Sequence, residues 1–357
     1  MKLSRFLHLW LSVPFGVLIV LICFSGATLV FEKEITEALH PELYKVTSSG
    51  APRPLSEIVP AALASLPDSA RAAGVEVSAA ADRPYKVNIA GKGRRAVLVD
   101  QYTGRVLGES VRPPFFKAMH SLHGSLMFGR PAEGAVAWGS LIVGTTTLVL
   151  LIVLITGLVL WWPRSRRSRR RAFRIPVRKG AFPFWFALHD AGGMYVSLFL
   201  MAMCVTGLTW SFDWFSKGYY ALLGASGGEN VKTTSAAPRK EADYALWDKE
   251  LEQVRRMVPE QTLTVAEGEV KASLGAFGNA RAADVYKFEP GTDVMTGADR
   301  YSESPRRVKV SGWTGSLHNG SWGGLPMRII YMLAALAGAI LPLTGYYLWL
   351  HRLRRRV

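Results

Sequence analysis

Residues 8–32, HLWLSVPFGVLIVLICFSGATLVFE, and residues 189–213, HDAGGMYVSLFLMAMCVTGLTWSFD, keep one register without a gap. His8 falls on His189, Cys23 on Cys204, Ser25-Gly26 on Thr206-Gly207 and Glu32 on Asp213. A second pair of segments repeats as well. Ser121-Leu122-His123-Gly124 matches Ser316-Leu317-His318-Asn319-Gly320. Each precedes an apolar run carrying a Thr-Gly pair (Thr156-Gly157, Thr344-Gly345) and a Trp four residues on (Trp161, Trp349). The chain therefore reads as one unit used twice: span, polar segment, histidine-bearing connector, span. Such a parallel repeat is related by an axis along the membrane normal.

The bulk numbers agree with a membrane chain that also carries polar domains. Of 357 residues, 49% are hydrophobic, too many for an ordinary soluble protein and too few for a pure bundle. Four runs are long enough to span a bilayer: 6–31, 138–162, 184–212 and 327–350. Four spans put both termini on one side. The net charge of +16 chooses the side, because fifteen of the 43 Lys and Arg crowd three segments. These are Lys2 and Arg5, the loop from Arg164 to Lys179, and the tail from Arg352 to Arg356; the remaining 28 nearly balance 27 acids. The positive-inside rule makes the loop 163–183, the tail 351–357 and both termini cytoplasmic. Arginines that set topology and meet anionic lipid head groups account for the charge without nucleic acid. The first span is too long for a cleaved signal, and its mate lies mid-chain. Cys23 and Cys204 both fall within spans, which excludes a disulfide framework and a thiolate metal site and leaves them as buried small side chains.

Two outer segments, 32–137 and 213–326, remain for folded domains. In the first, the apolar spacing predicts a helix over 55–66, with Leu55, Ile58, Val59 and Leu63 on one face. Alternation predicts a strand over 85–89 and its return over 96–99, then a turn at 100–104 into 105–107. In the second, Asp243 is an N-cap for a helix over 244–257 with Leu246, Leu251, Val254 and Met257 near one face, and 284–288 is a strand. Residues 225–238, rich in Gly, Ser, Thr and Ala, read as a linker. The expected architecture is four transmembrane helices from a duplicated two-helix unit, with two small outside α+β domains.

The histidines carry the chemistry. Ionisable residues in spans are rare and usually functional. His8 and His189 belong near the inner side, His123 and His318 near the outer, and the two-fold axis sets the members of each pair opposite one another. Each pair offers two imidazoles to one iron, as helix bundles commonly do for cofactors. Bis-histidine ligation suits electron transfer, so the expectation is two noncovalent b-type hemes; no Cys-x-x-Cys-His is present to attach one. His120, three residues before His123, is an alternative ligand or a residue facing substrate; His351 at the end of the last span is an alternative ligand, and His40 reads as surface. The bland account of His8 or His189 alone is an interfacial ring reaching the head groups. The Ser/Thr-Gly pairs read either as helix-packing contacts or as places where a flat macrocycle approaches the backbone. Trp10, Trp138, Trp161, Trp162, Trp185, Trp210, Trp214 and Trp349 read as interface anchors. Trp313 and Trp322 flank His318 as simple packing or as walls of a site. Arg112, Arg130, Arg306, Arg307 and Arg328 are candidates for holding propionates or an anionic chelate, against a reading as scattered solvated arginines. Nothing matches a dinucleotide fingerprint, a His-Glu-x-x-His zinc helix or a nucleophile elbow.

The opening His8-Leu9-Trp10-Leu11 with Ser25-Gly26, the hairpin end Val99-Asp100-Gln101-Tyr102-Thr103-Gly104 and the connector His120-Ser121-Leu122-His123-Gly124 together resemble the PepSY-associated transmembrane proteins. The likeness covers nearly the whole chain and rests on the order and duplication of short motifs. It departs at Asp190-Ala191-Gly192-Gly193, where the first span has Leu9-Trp10-Leu11-Ser12. The resemblance implies a bacterial inner-membrane protein with PepSY-like periplasmic domains, and heme-dependent reduction of ferric siderophores with electrons from a cytoplasmic or membrane donor. Two rival readings stay open: a membrane-tethered binding or regulatory module, and a transporter with the repeat providing alternating access and the histidines carrying protons.

Overall fold

The computed structural model describes residues 2–91, 95–129, 131, 135–162, 172–176, 180–226, 243–275 and 277–355. Most of the basic loop, Arg130 and nearly all of the 225–238 linker lie outside them. The four apolar runs are helices long and apolar enough to cross a membrane: α1 (Lys2–Leu29), α6 (Trp138–Trp161), α7 (Ala181–Ser211) and α11 (Gly324–Arg354). The chain falls into two compact units, the first holding these helices and the second holding the sheet.

In the helical unit, α1 packs on α6 and α11, and α7 packs on the same two. So α1 and α7 face each other across the bundle. Between them lies a close-packed middle of Ile19, Cys23 and Ala339 on one side and Leu154, Leu200 and Cys204 on the other. Both cysteines are free and buried. Gly338 admits this packing, because a Cβ there would lie 2.9 Å from Leu200 Cδ2 and 3.1 Å from Cys23 Sγ. Most of the tryptophans read as anchors (Trp10, Trp138, Trp162, Trp185, Trp210, Trp214) expose their rings, as lipid-facing anchors do. Two short helices complete the unit: α5 (Pro114–Ser125) packs on α1 and α6, and α8 (Asp213–Leu222) continues from α7. α10 (Arg306–Asn319) runs from one unit into the other.

In the second unit the elements follow the repeat: α2 (Glu32–Leu39), α3 (Pro41–Tyr44), α4 (Leu55–Ala64), β1 (Ala72–Val77), β2 (Tyr85–Ile89), β3 (Arg95–Val99) and β4 (Val106–Glu109), then α9 (Tyr244–Met257), β5 (Leu263–Ala266), β6 (Glu269–Ser273), β7 (Ala283–Phe288) and β8 (Met295–Asp299). The strands predicted over 85–89, 96–99 and 284–288 are present. The expectation of two separate domains is corrected in one respect: all eight strands form a single sheet, ordered β4-β3-β2-β1-β5-β6-β7-β8. β1 and β5 join the halves as an antiparallel pair, Val75 opposite Val265 and Val77 opposite Leu263. Each half alone would leave an open strand edge and a thin core; pairing covers both edges and pools the apolar residues into one cluster. The halves echo each other in detail, since β3–β4 and β7–β8 both shift register at the last residues of the inner strand.

α4 buries Leu55, Ile58, Val59 and Ala62. The side chain of Asp243 caps α9 by accepting from Ala245 N at 2.9 Å. The buried face of α9 departs from the sequence reading: it runs through Trp247, Glu250 and Val254, while Met257 is exposed. Glu250 is 3% exposed and its Oε2 has no partner. Burial, and then the negative charges of Glu267 and Asp293, push its carboxyl up to about 7. The fold thus favours the protonated acid. This stability is full below the ordinary carboxylate range and is lost as pH rises to about 7. Glu250→Gln is expected to flatten that dependence and to stabilise the unit at alkaline pH, by on the order of 1–3 kcal/mol once solvent screening is allowed for. Denaturant melts of the full-length protein and of the Glu250→Gln variant at two pH values would check it.

Candidate functional site

The structure brings the four matched histidines together in two pairs. His8 in the first turns of α1 faces His189 in α7, ring centres 6.1 Å apart and planes at 85°. His123 in α5 faces His318 in α10, ring centres again 6.1 Å apart and planes at 57°. The levels are well separated: Gly26, beside His123, is eighteen residues from His8, a rise of about 27 Å along a helix.

Each ring is fixed in the same way by a neighbouring helix. Nδ1 of His8 donates to the Val153 carbonyl at 3.0 Å, and Nδ1 of His189 to the Leu341 carbonyl at 3.1 Å. Nδ1 of His123 donates to the Ile22 carbonyl at 2.9 Å, and Nδ1 of His318 to the Met203 carbonyl at 3.1 Å. A carbonyl only accepts, so every Nδ1 carries a hydrogen and every Nε2 keeps its lone pair for a metal. Second-shell donation of this kind is how proteins orient a metal-binding imidazole and raise its basicity.

The four acceptors share one address. Each carbonyl lies four residues before the glycine of a Ser/Thr-Gly pair: Ile22 before Gly26, Val153 before Gly157, Met203 before Gly207, Leu341 before Gly345. In a helix the side chain of residue i+4 leans over the carbonyl of residue i. Glycine uncovers that oxygen, and the histidine ring occupies the opening. A Cβ on Gly26 would lie 2.8 Å from His123 Cε1; on Gly157, Gly207 and Gly345 it would lie 3.2, 3.3 and 3.4 Å from the Cε1 of His8, His318 and His189. Each of the four glycines thus makes room for an imidazole ring. The hydroxyls beside the glycines assist unequally. Thr344 Oγ1 is 2.8 Å from His189 Nδ1, Thr206 Oγ1 3.0 Å from His318 Nδ1 and Thr156 Oγ1 3.4 Å from His8 Nδ1. Ser25 turns its hydroxyl to the carbonyls of Leu21 and Ile22 instead.

The connector helices hold their histidines through their ends. α5 stops where Leu126 and Met127 turn left-handed, with Leu126 N donating to Leu122 O at 3.1 Å and Met127 N to Ser121 O at 3.1 Å. The segment after α10 turns at Gly320, whose φ of +76° suits glycine. Trp210, read from sequence as an anchor, also stands edge-on to His318 with ring centres 5.0 Å apart.

The alternative ligands do not join the pairs. His120 is exposed on α5. His351 stacks on Phe182 at 4.4 Å and Tyr347 at 6.1 Å. His40 pairs with Glu42 on the surface. Trp313 lies against Gly278, a packing contact. Arg328 donates to the Val30 carbonyl and lies 4.7 Å over Phe31, capping the end of α1. Among the described residues no group of three or more His, Cys, Asp or Glu could hold a metal. Each level therefore offers two imidazole nitrogens, too few alone for a structural zinc, which takes four protein ligands.

The model of the PepSY-associated TM region matches residues 5–352. The chain belongs to this family. Comparison with curated proteins gives no match. As a member of the PepSY-associated TM family it is a multi-pass membrane protein whose bilayer-crossing helices are α1, α6, α7 and α11.

Proposed function

We propose that this PepSY-associated TM protein is a di-heme electron carrier of the bacterial inner membrane, with His8 and His189 holding one b-type heme and His123 and His318 the other. The observation that carries this reading is the repeated 6.1 Å spacing of rings whose Nδ1 atoms are already engaged. A ring centre lies roughly an ångström from its own nitrogen, and a first-row metal about 2 Å beyond, so rings sharing one metal have centres roughly 6 Å apart. The two imidazoles at each level would hold the iron of a bound heme. The bound heme would supply reversible one-electron chemistry at each level.

The protein's share follows from its own residues. The carbonyls of Val153, Leu341, Ile22 and Met203 fix tautomer and ring direction. Cys23, Leu154, Leu200 and Cys204 keep water out of the middle of the bundle. The shared carbonyl-and-glycine address at all four rings supports descent from a duplicated two-helix unit. Arginine-rich segments beside the spans support cytoplasmic termini and a periplasmic sheet unit, with electrons moving outward. The family resemblance suggests ferric siderophore as acceptor, and Fe(III), the harder ion, is held more firmly than Fe(II) by oxygen donors. A tethered binding module would leave four pre-oriented imidazoles without a task.

Rapid mixing of dithionite-reduced protein with a ferric hydroxamate siderophore tests the acceptor. The protein should reoxidise while a ferrous trap such as ferrozine colours in step. Hemes that stay reduced across several siderophore classes would refute siderophore reduction and leave the two-heme carrier standing.

A further inference from the structure

The sheet unit holds a cavity of about 550 Å³ lined by residues of both halves, among them Tyr85, Gln101, Asp248, Glu252 and Arg255. Arg255, in the last turn of α9, is anchored by backbone: Nη1 donates to the carbonyls of Pro259 at 3.1 Å and Gln261 at 2.6 Å, and Nη2 to Val77 at 3.3 Å. A guanidinium has five N–H donors. Among the described residues Nε–H and one Nη2–H have no partner; Nε and Nη2 share the edge of the guanidinium that fits a carboxylate.

The charges around this fork are already engaged elsewhere. Asp248 turns both oxygens to the backbone N–H groups of Leu55 and Ser56 at the start of α4. Glu252 pairs with Arg256. Arg53 at the rim pairs with Glu57 at 2.9 Å. Among the described residues no carboxylate forms an ion pair with Arg255, and burial disfavours its charge. A half-buried cation without a counter-charge is costly unless something in the cavity supplies one. Tyr85 adds the third donor. Its side chain is 8% exposed, its hydroxyl has no hydrogen-bond partner among the described residues, and burial, opposed by the charge of Arg255, raises its pKa, so the O–H keeps its proton. Gln101 in the wall donates through Nε2 to the Ala81 carbonyl at 2.9 Å, while its buried Oε1 has no partner among the described residues.

We propose that this cavity binds a carboxylate, held by the free edge of Arg255 and the hydroxyl of Tyr85. The carboxylate belongs to a small organic acid or to the C-terminus of a short peptide, since the volume lies within the range of small-ligand sites. This assignment is independent of the histidine pairs.

Calorimetric titration of the full-length protein in detergent at low salt tests it. One arm compares succinate with neutral succinamide, the other trialanine with its C-terminal amide. Saturable binding of succinate or trialanine, with at least a tenfold preference over the matching amide, is expected; the arm that responds names the source. Tyr85→Phe, which removes only an unpartnered hydroxyl, should weaken that binding about tenfold. Arg255→Lys should weaken it further, with circular dichroism checking that the loop it anchors is intact. Absence of saturable binding in both arms, equal binding of acid and amide, or full affinity in Tyr85→Phe would overturn the proposal.

Discussion

His189→Ala is expected to halve the heme bound per chain and to erase the low-spin signal of one site, leaving the other reducible by dithionite. The ring is held at 3.1 Å by the Leu341 carbonyl and at 2.8 Å by Thr344 Oγ1, with His8 opposite at 6.1 Å. Alanine leaves His8 alone, and one imidazole cannot make a six-coordinate iron. Loss of outer-shell partners alone typically lowers metal affinity roughly 10–100-fold, so removal of the ligand should exceed that. His318→Ala should do the converse at the other level. His351→Ala is the control, because its ring stacks on Phe182 outside either pair. Retention of both hemes in His8→Ala with loss of one in His351→Ala would refute the pairing.

The second large effect is expected from a single methyl group. An alanine Cβ at Gly26 would sit 2.8 Å from Cε1 and 3.0 Å from Nδ1 of His123. The ring must swing away, and its 2.9 Å bond to the Ile22 carbonyl goes with it. Heme retention at that level should fall roughly 10–100-fold, with a shifted low-spin electron paramagnetic resonance signal. Gly124→Ala, next to His123 but with nothing within 4 Å of the added Cβ, should leave both hemes unchanged. At Gly207 the approach is 3.3 Å, so Gly207→Ala should give a weaker version of the same loss at His318. Heme-to-protein ratios of the three variants, purified side by side, decide the point. Equal retention in Gly26→Ala and Gly124→Ala would contradict this role for glycine.

The pairing of His8 with His189 and of His123 with His318 was legible because both pairs share the register of the repeat, and imidazole is conspicuous among apolar neighbours. The meaning of Gly26, Gly157, Gly207 and Gly345 was not. Their partners are backbone oxygens of Ile22, Val153, Met203 and Leu341, and no side chain announces a carbonyl. Trp210 showed only half of its role, since an exposed interfacial ring and a ring standing against His318 look alike in sequence. In the sheet unit, α4 and the strands 85–89 and 284–288 followed from apolar spacing. The buried face of α9 does not follow from apolar spacing, because Glu250, a buried acid, lies where a hydrophobic residue is expected. The joining of β1 to β5 was hidden because strand pairing between distant segments is set by exposed backbone edges, which composition does not record.

The count of heme per chain tests the central claim most directly. Protein purified from cells supplied with iron and heme precursors should give two hemes per chain by the pyridine hemochrome assay, both extractable by acidified acetone because neither is covalently attached. One heme per chain would remove one histidine pair from the account. Protein that folds, retains its helices and binds none would contradict it outright.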